Sequence, residues 1–94
     1  MILEFEGEII HWRGPSPYLF VPVPEEESQA LKVVAPIFSY GWGVIPVLAR
    51  IGETEWKTSL FPKDGRYLVP VRVSVQRAEE LDVGARVSVR LSVG

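Results

Sequence analysis

The sequence predicts an all-β (mainly β) chain curled into a small closed or nearly closed β-barrel of about six strands with one or two short helices. Three observations point there. Apolar residues recur at every second position, as in Ile45, Val47, Ala49 and Ile51 and again in Val87, Val89, Leu91 and Val93. Successive side chains of a strand point to opposite faces, so this period marks strands with one buried side. Clusters such as Arg13-Gly14-Pro15-Ser16-Pro17, Gly41-Trp42-Gly43 and Asp64-Gly65 separate the alternating runs, and little of the chain has helical spacing. A barrel filled by its inward side chains accommodates many short strands without leaving a long edge bare.

The first run, Ile2 to Trp12, places Leu3, Phe5, Ile9 and His11 on one face and Glu4, Glu6, Glu8 and Ile10 on the other. Gly7 falls where a bulge or tight bend is expected. Two prolines and a glycine end this strand after Arg13, because they fix φ and remove donors. Tyr18 to Val23 is the return strand. Pro24-Glu25-Glu26-Glu27-Ser28 opens a helix, since proline suits the first turn and carboxylates there complement the positive end of the dipole. Leu31, Val34 and Ala35 form its apolar stripe, and Pro36 is expected to bound it.

From Val44, the residues Ile45, Val47, Ala49 and Ile51 line one side of a strand, with Leu48 and Arg50 on the other. Gly52-Glu53 turns it into Thr54 to Phe61, where Thr54, Trp56, Thr58 and Leu60 alternate with Glu55, Lys57 and Ser59. Asp64-Gly65 is the strongest hairpin signal. Beyond it Tyr67, Val69, Val71, Val73 and Val75 read as one face of a single strand. Gln76 to Gly84 reads as one helical turn closed by glycine, followed by a last strand through Val93. An apolar-Pro-Val sequence recurs at Pro22, Pro46 and Pro70, either a remnant of duplication or proline placed where a ladder ends.

The 94 residues are expected to form one domain over residues 1–94. With 47% hydrophobic residues and no apolar run near the roughly 18 that a membrane helix needs, a soluble globular protein and no membrane partner are expected. The opening Met1-Ile2-Leu3-Glu4-Phe5-Glu6 carries acid where a signal peptide carries base, which predicts a cytoplasmic location. Absence of cysteine excludes disulfides, thiolate catalysis and sulfur-ligated metal. Residues 1–47 hold six acids and two bases (−4), and residues 48–94 six acids and eight bases (+2), which together give the net −2. The pI near 5.4 argues against a nucleic-acid binder at the level of the whole chain but leaves room for a local basic patch.

The ordered words Gly41-Trp42-Gly43-Val44-Ile45-Pro46-Val47, Thr58-Ser59-Leu60-Phe61-Pro62, Gly65-Arg66-Tyr67-Leu68-Val69-Pro70-Val71 and Ala78-Glu79-Glu80-Leu81-Asp82-Val83-Gly84 together resemble the bacterial family catalogued as domain of unknown function 1905. The resemblance covers nearly the whole chain. It implies a compact, mostly β, barrel-like domain and carries no established activity. Gln76-Arg77 and Gly84-Ala85 depart from the family pattern, which puts only local turn chemistry in doubt. Less closely, Lys63 to Leu91 resembles the loop-helix-strand order of transition-state regulator and antitoxin DNA-binding domains.

Catalytic and metal signals are thin. His11 is the single histidine, and beside Trp12 at a strand end it reads as packed or capping. No pair of histidines or acid-rich loop suggests a metal, so neither a metal nor another cofactor is expected. Ser59 lacks the glycine elbow of an exposed nucleophile, and Gly41-Trp42-Gly43 lacks the third glycine, helix and lysine of a phosphate cradle. The aromatic residues carry more. Trp42, between glycines, either inserts into a cleft of its own barrel or projects for a partner.

The function expected is therefore a binding module for a small planar or anionic ligand or for a partner protein, with ligand-binding residues Trp42, Trp56, Lys57, Ser59 and Arg72. A homodimer remains open. The alternative is a DNA-binding regulator-like domain using Arg66, Arg72, Arg77, Arg86 and Arg90, if adjacent last strands align them; the bland reading of those arginines is a solvated polar face. An enzyme is the third reading, with catalysis by His11 or a carboxylate.

Overall fold

The computed structural model describes residues 1–13, 17–39, 41 and 43–94. Along the chain run β1 (Ile2–Glu8), β2 (Ile10–Arg13), β3 (Pro17–Pro22), α1 (Glu25–Phe38), β4 (Ile45–Ile51), β5 (Thr54–Lys63), β6 (Arg66–Val71), α2 (Val73–Ala78) and β7 (Arg86–Val93). The strands pair antiparallel in the order β1-β7-β4-β5-β6-β3-β2, a curled, seven-stranded, near-closed half-barrel carrying two short helices. The mainly β, nearly closed architecture is the one the alternation predicts. The extra strand arises because the first predicted strand breaks at Ile9.

That break explains the curl. β1 and β2 are consecutive in the chain yet lie at opposite ends of the strand order, so one bent segment serves both edges. At the bend the Ile9 N–H donates to the Ala85 carbonyl at 2.8 Å and the Gly84 N–H donates to the Ile9 carbonyl at 2.8 Å, which keeps the buried backbone paired. Gly7 permits the crossing over β3: a Cβ there would stand 2.6 Å from Val21 Cγ1 and 3.3 Å from the Pro22 carbonyl oxygen. Val21 is fully buried and stiff at χ1, so nothing nearby gives way cheaply.

Inward positions fill the interior with the predicted parity. β4 contributes Ile45, Val47, Ala49 and Ile51, β7 Val87, Val89, Leu91 and Val93, β5 Trp56 and Leu60, and β6 Tyr67, Val69 and Val71. Phe5, Ile9, Val21 and Val23 from the first part of the chain, Leu31 from α1 and Val75 from α2 complete it. The β5–β6 hairpin has both central residues in the left-handed region, Asp64 at φ +50° and Gly65 at +81°, as a type I′ turn requires.

Two helix expectations are corrected. α1 passes through Pro36 and ends at Phe38. Proline removes only the bond to the Lys32 carbonyl, and both residues are exposed, so water can take that carbonyl. The Ser39 N–H caps Ala35 at 2.7 Å, and Ala35 and Phe38, rather than Val34, join Leu31 against the core. The second correction concerns Val73 and Val75, which do not extend β6 but belong to α2. β3 pairs no further than Val71 and β5 no further than Leu68, so past Val71 the backbone has no strand to bond and closes its own helical bonds. The helix therefore starts before the turn expected over Gln76–Gly84, overlaps it as far as Ala78, and buries Val75 while leaving Val73 exposed.

Burial also sets one titration. The Tyr67 phenol is pushed above its ordinary value by desolvation. The folded protein keeps that proton at a pH where the unfolded chain has lost it, so the stability this provides is complete below the unfolded value of about 10 and is lost as pH rises through the folded value. Urea unfolding between pH 8 and 11 is expected to show a steeper alkaline decline in the native protein than in Tyr67→Phe. Equal declines would exclude this phenol as the cause.

Candidate functional site

β5 belongs to both halves of the barrel. Its residues Thr54–Leu60 pair with β4, and only Phe61–Lys63 pair with β6. The two strands therefore diverge: the last pair is Phe61 with Leu68, after which β6 continues along β3 alone. Pro70 stands in the diverging stretch, where a missing N–H breaks no bond to β5.

Side chains bridge the gap the backbones leave. The Trp56 indole Nε1 donates to the Pro70 carbonyl at 3.1 Å, and Arg72 Nη2 donates to the Lys57 carbonyl at 2.6 Å. A groove of about 430 Å³ lies along this seam, lined among others by Phe20, Ser59, Phe61, Pro70, Arg72 and Val73. Its walls are ring and aliphatic surface. One guanidinium nitrogen holds the Lys57 carbonyl, while the rest of the fork and the Ser59 hydroxyl offer donors at the edge. Such a site suits a flat apolar body ending in an anion, because the rings stack and the guanidinium makes charge-assisted bonds.

The structure divides the five residues expected to bind ligand. Ser59 and Arg72 meet in the groove. Trp56 is 6% exposed, with its ring in the core and its N–H engaged by Pro70, so it braces the seam and does not line the groove. Lys57 lends the groove its carbonyl, but its side chain borders a separate depression with Phe38, Pro46 and Leu48. Trp42 lies outside the described residues. Sequence reasoning missed Phe20, Phe61, Pro70 and Val73. For Phe61 a signal existed: it continues the outward series Glu55, Lys57, Ser59, an aromatic ring on a polar face.

The arginine row is corrected by the strand order. β4 and β5 stand between β6 and β7, so Arg66 and Arg72 are not on a strand adjacent to Arg86 and Arg90. Arg86 and Arg90 face Glu8 and Glu4 across the β1–β7 pair, with Arg90 Nε 3.9 Å from Glu4 Oε1. Arg50, opposite Arg90, lies 3.7 Å from Glu55 and 3.8 Å from Glu53. The outer face of this half alternates in sign rather than presenting a basic stripe.

His11 keeps inward parity but is exposed rather than packed, because β2 is an edge strand with β3 as its one neighbour. Among the described residues no group of three His, Cys, Asp or Glu side chains is placed to hold a metal ion, and no helix is long and apolar enough to cross a membrane. Compared with known proteins, the chain matches over residues 5–91 a family model described as "Domain of unknown function (DUF1905)". No curated protein matches it.

Proposed function

Since the chain belongs to this family of domains of unknown function, whose description prescribes no chemistry, we propose from its own geometry that it is a cytoplasmic binding module for a small planar anionic ligand. The observation that carries this reading is the groove where β5 and β6 part, with Phe61 and Pro70 as apolar walls and Arg72 and Ser59 at its edge. The ligand's ring lies against Phe61 and its anionic group takes the free part of the Arg72 fork. Trp56 supports the site from beneath by holding the Pro70 carbonyl.

Isothermal titration with a panel of aromatic carboxylates and nucleoside monophosphates tests this. At least one of them is expected to bind, with Arg72→Gln weakening it about tenfold or more, the loss expected of a hydrogen bond to a charged group. Phe61→Ala is expected to weaken it several-fold. Both residues are exposed, so thermal unfolding should barely change. Trp42→Ala and Lys57→Ala in the same series measure whether those side chains contribute. A panel without any binder, or a binder indifferent to both Arg72→Gln and Phe61→Ala, would overturn the proposal.

A further inference from the structure

The groove is not an isolated feature of its face. Phe20, which lines it, makes an edge contact with Trp12 on β2, the ring centroids 5.6 Å apart and the planes at 63°. Lys63, at the end of β5, holds its ammonium 4.4 Å from the centre of the Trp12 ring. Trp12 is 39% exposed and Phe61 43% exposed, so two large aromatic rings are accessible on one side of the sheet. The face thus has two accessible rings, with Lys63 at one end and Arg72 at the other.

Charge is partitioned in the same sense. Among the described residues no carboxylate occupies an outward position of β2, β3 or β6, or of β5 from Lys57 to Lys63; Asp64 lies in the turn beyond, its Oδ2 3.9 Å from the Lys63 Nζ and itself exposed. The opposite half of the barrel carries Glu4, Glu6, Glu8 and Glu55 outward. A chain of net charge −2 therefore places most of its acids off this face, and Lys57, Lys63, Arg66 and Arg72 outnumber the one carboxylate, Asp64, that pairs with Lys63 at its end. Such a local field attracts anions even though the molecule as a whole repels them.

We infer that this face binds single-stranded nucleic acid, one base stacking on Trp12 and a neighbouring base seated against Phe61 in the groove, with Lys63 and Arg72 on phosphates. The inference rests on the groove reading, since the Phe61–Arg72 position is the same site. Bases of a single strand expose flat π faces between negative charges, matching rings between cations, whereas a duplex hides those faces. An acidic peptide satisfies the cations and leaves the rings unused. In the free protein the Lys63 ammonium covers the indole. When a base takes its place, the flexible side chain turns to the adjacent phosphate, so the ring loses no partner.

Fluorescence anisotropy with a labelled oligothymidylate of about ten nucleotides, within the site size of a small single-strand-binding fold, tests this beside titration with thymidine 5′-monophosphate. The oligonucleotide is expected to bind with log K falling against log salt at a slope of about −1.4, for two neutralised phosphates of a single strand. Trp12→Ala should weaken the oligonucleotide about tenfold and leave the mononucleotide unchanged, whereas Phe61→Ala should weaken both. Lys63→Glu should abolish most oligonucleotide binding at low salt and spare the mononucleotide. An oligonucleotide held no more tightly than the mononucleotide and indifferent to Trp12→Ala would overturn this inference while leaving the groove reading intact. Indifference of both nucleotides to Phe61→Ala and Arg72→Gln would overturn the groove assignment for them. Equal affinity for a duplex, or for polyglutamate irrespective of Trp12, would also overturn the inference.

Discussion

Replacing Trp56 by alanine is expected to cost about 3–5 kcal/mol of folding stability, the range for truncating a large aromatic residue in a core. For a domain of this size that lowers the melting temperature by roughly 15–30 °C, enough to leave a marginally stable protein partly unfolded. Two losses combine. The ring fills the seam where the two halves of the barrel meet on β5, and its removal leaves a void between residues that cannot fully collapse. The indole N–H also bridges to the Pro70 carbonyl across strands that share no ladder bond there. Trp56→Phe separates the terms, retaining most of the volume but leaving that carbonyl without its donor, at about 1–3 kcal/mol. Urea unfolding followed by far-ultraviolet circular dichroism measures both, independently of which tryptophan fluoresces. A Trp56→Ala protein as stable as Trp56→Phe would show that the cavity contributes nothing and that the seam repacks.

Ser28→Ala is expected to lose about 2–4 kcal/mol, a large effect for removing one oxygen, because it leaves a buried donor and a buried acceptor unpaired. Ser28 is fully buried in the first turn of α1. Its hydroxyl donates to the Val23 carbonyl at 3.0 Å and accepts the Tyr67 N–H at 3.2 Å, joining the chain after β3, the helix and β6 at one atom. The Val23 N–H to Tyr67 carbonyl bond at 2.8 Å lies alongside and remains in the variant. Amide hydrogen exchange gives the specific readout: the Tyr67 amide should exchange faster in Ser28→Ala by more than the global destabilisation accounts for. Unchanged stability together with unchanged Tyr67 protection would show that this hydroxyl is dispensable.

Ser28 illustrates what the residue pattern could not convey. In sequence it follows three glutamates at a helix start, where a serine is ordinarily a solvated residue, and nothing nearby identifies a partner 39 positions away. The groove escaped for a related reason. Ser59 and Arg72 were recognisable as polar groups near aromatic residues, but the groove exists because β6 leaves β5 after Leu68, and alternation within one strand is silent about which neighbour it keeps. Trp56 was grouped with the groove residues because an indole on a strand has the same period whether its N–H meets a ligand or, as here, a carbonyl across a seam. The Val69–Val71–Val73–Val75 run was read as one strand on the same logic, and the loss of partners beyond Val71 ended it.

From the residues alone followed the mainly β class, the inward parity of β4 and β7, the Asp64-Gly65 hairpin and the family resemblance. These are local properties: a period of two, a pair of residues tolerant of positive φ, a run of ordered words. The tertiary structure decided the strand order that separates the arginines, the bend at Ile9 that nearly closes the barrel, and the parting of β5 from β6 that makes a groove. Each depends on hydrogen bonds and packing between segments far apart in the chain, and such pairings are chosen by the free energy of the whole assembly rather than by any one stretch of it.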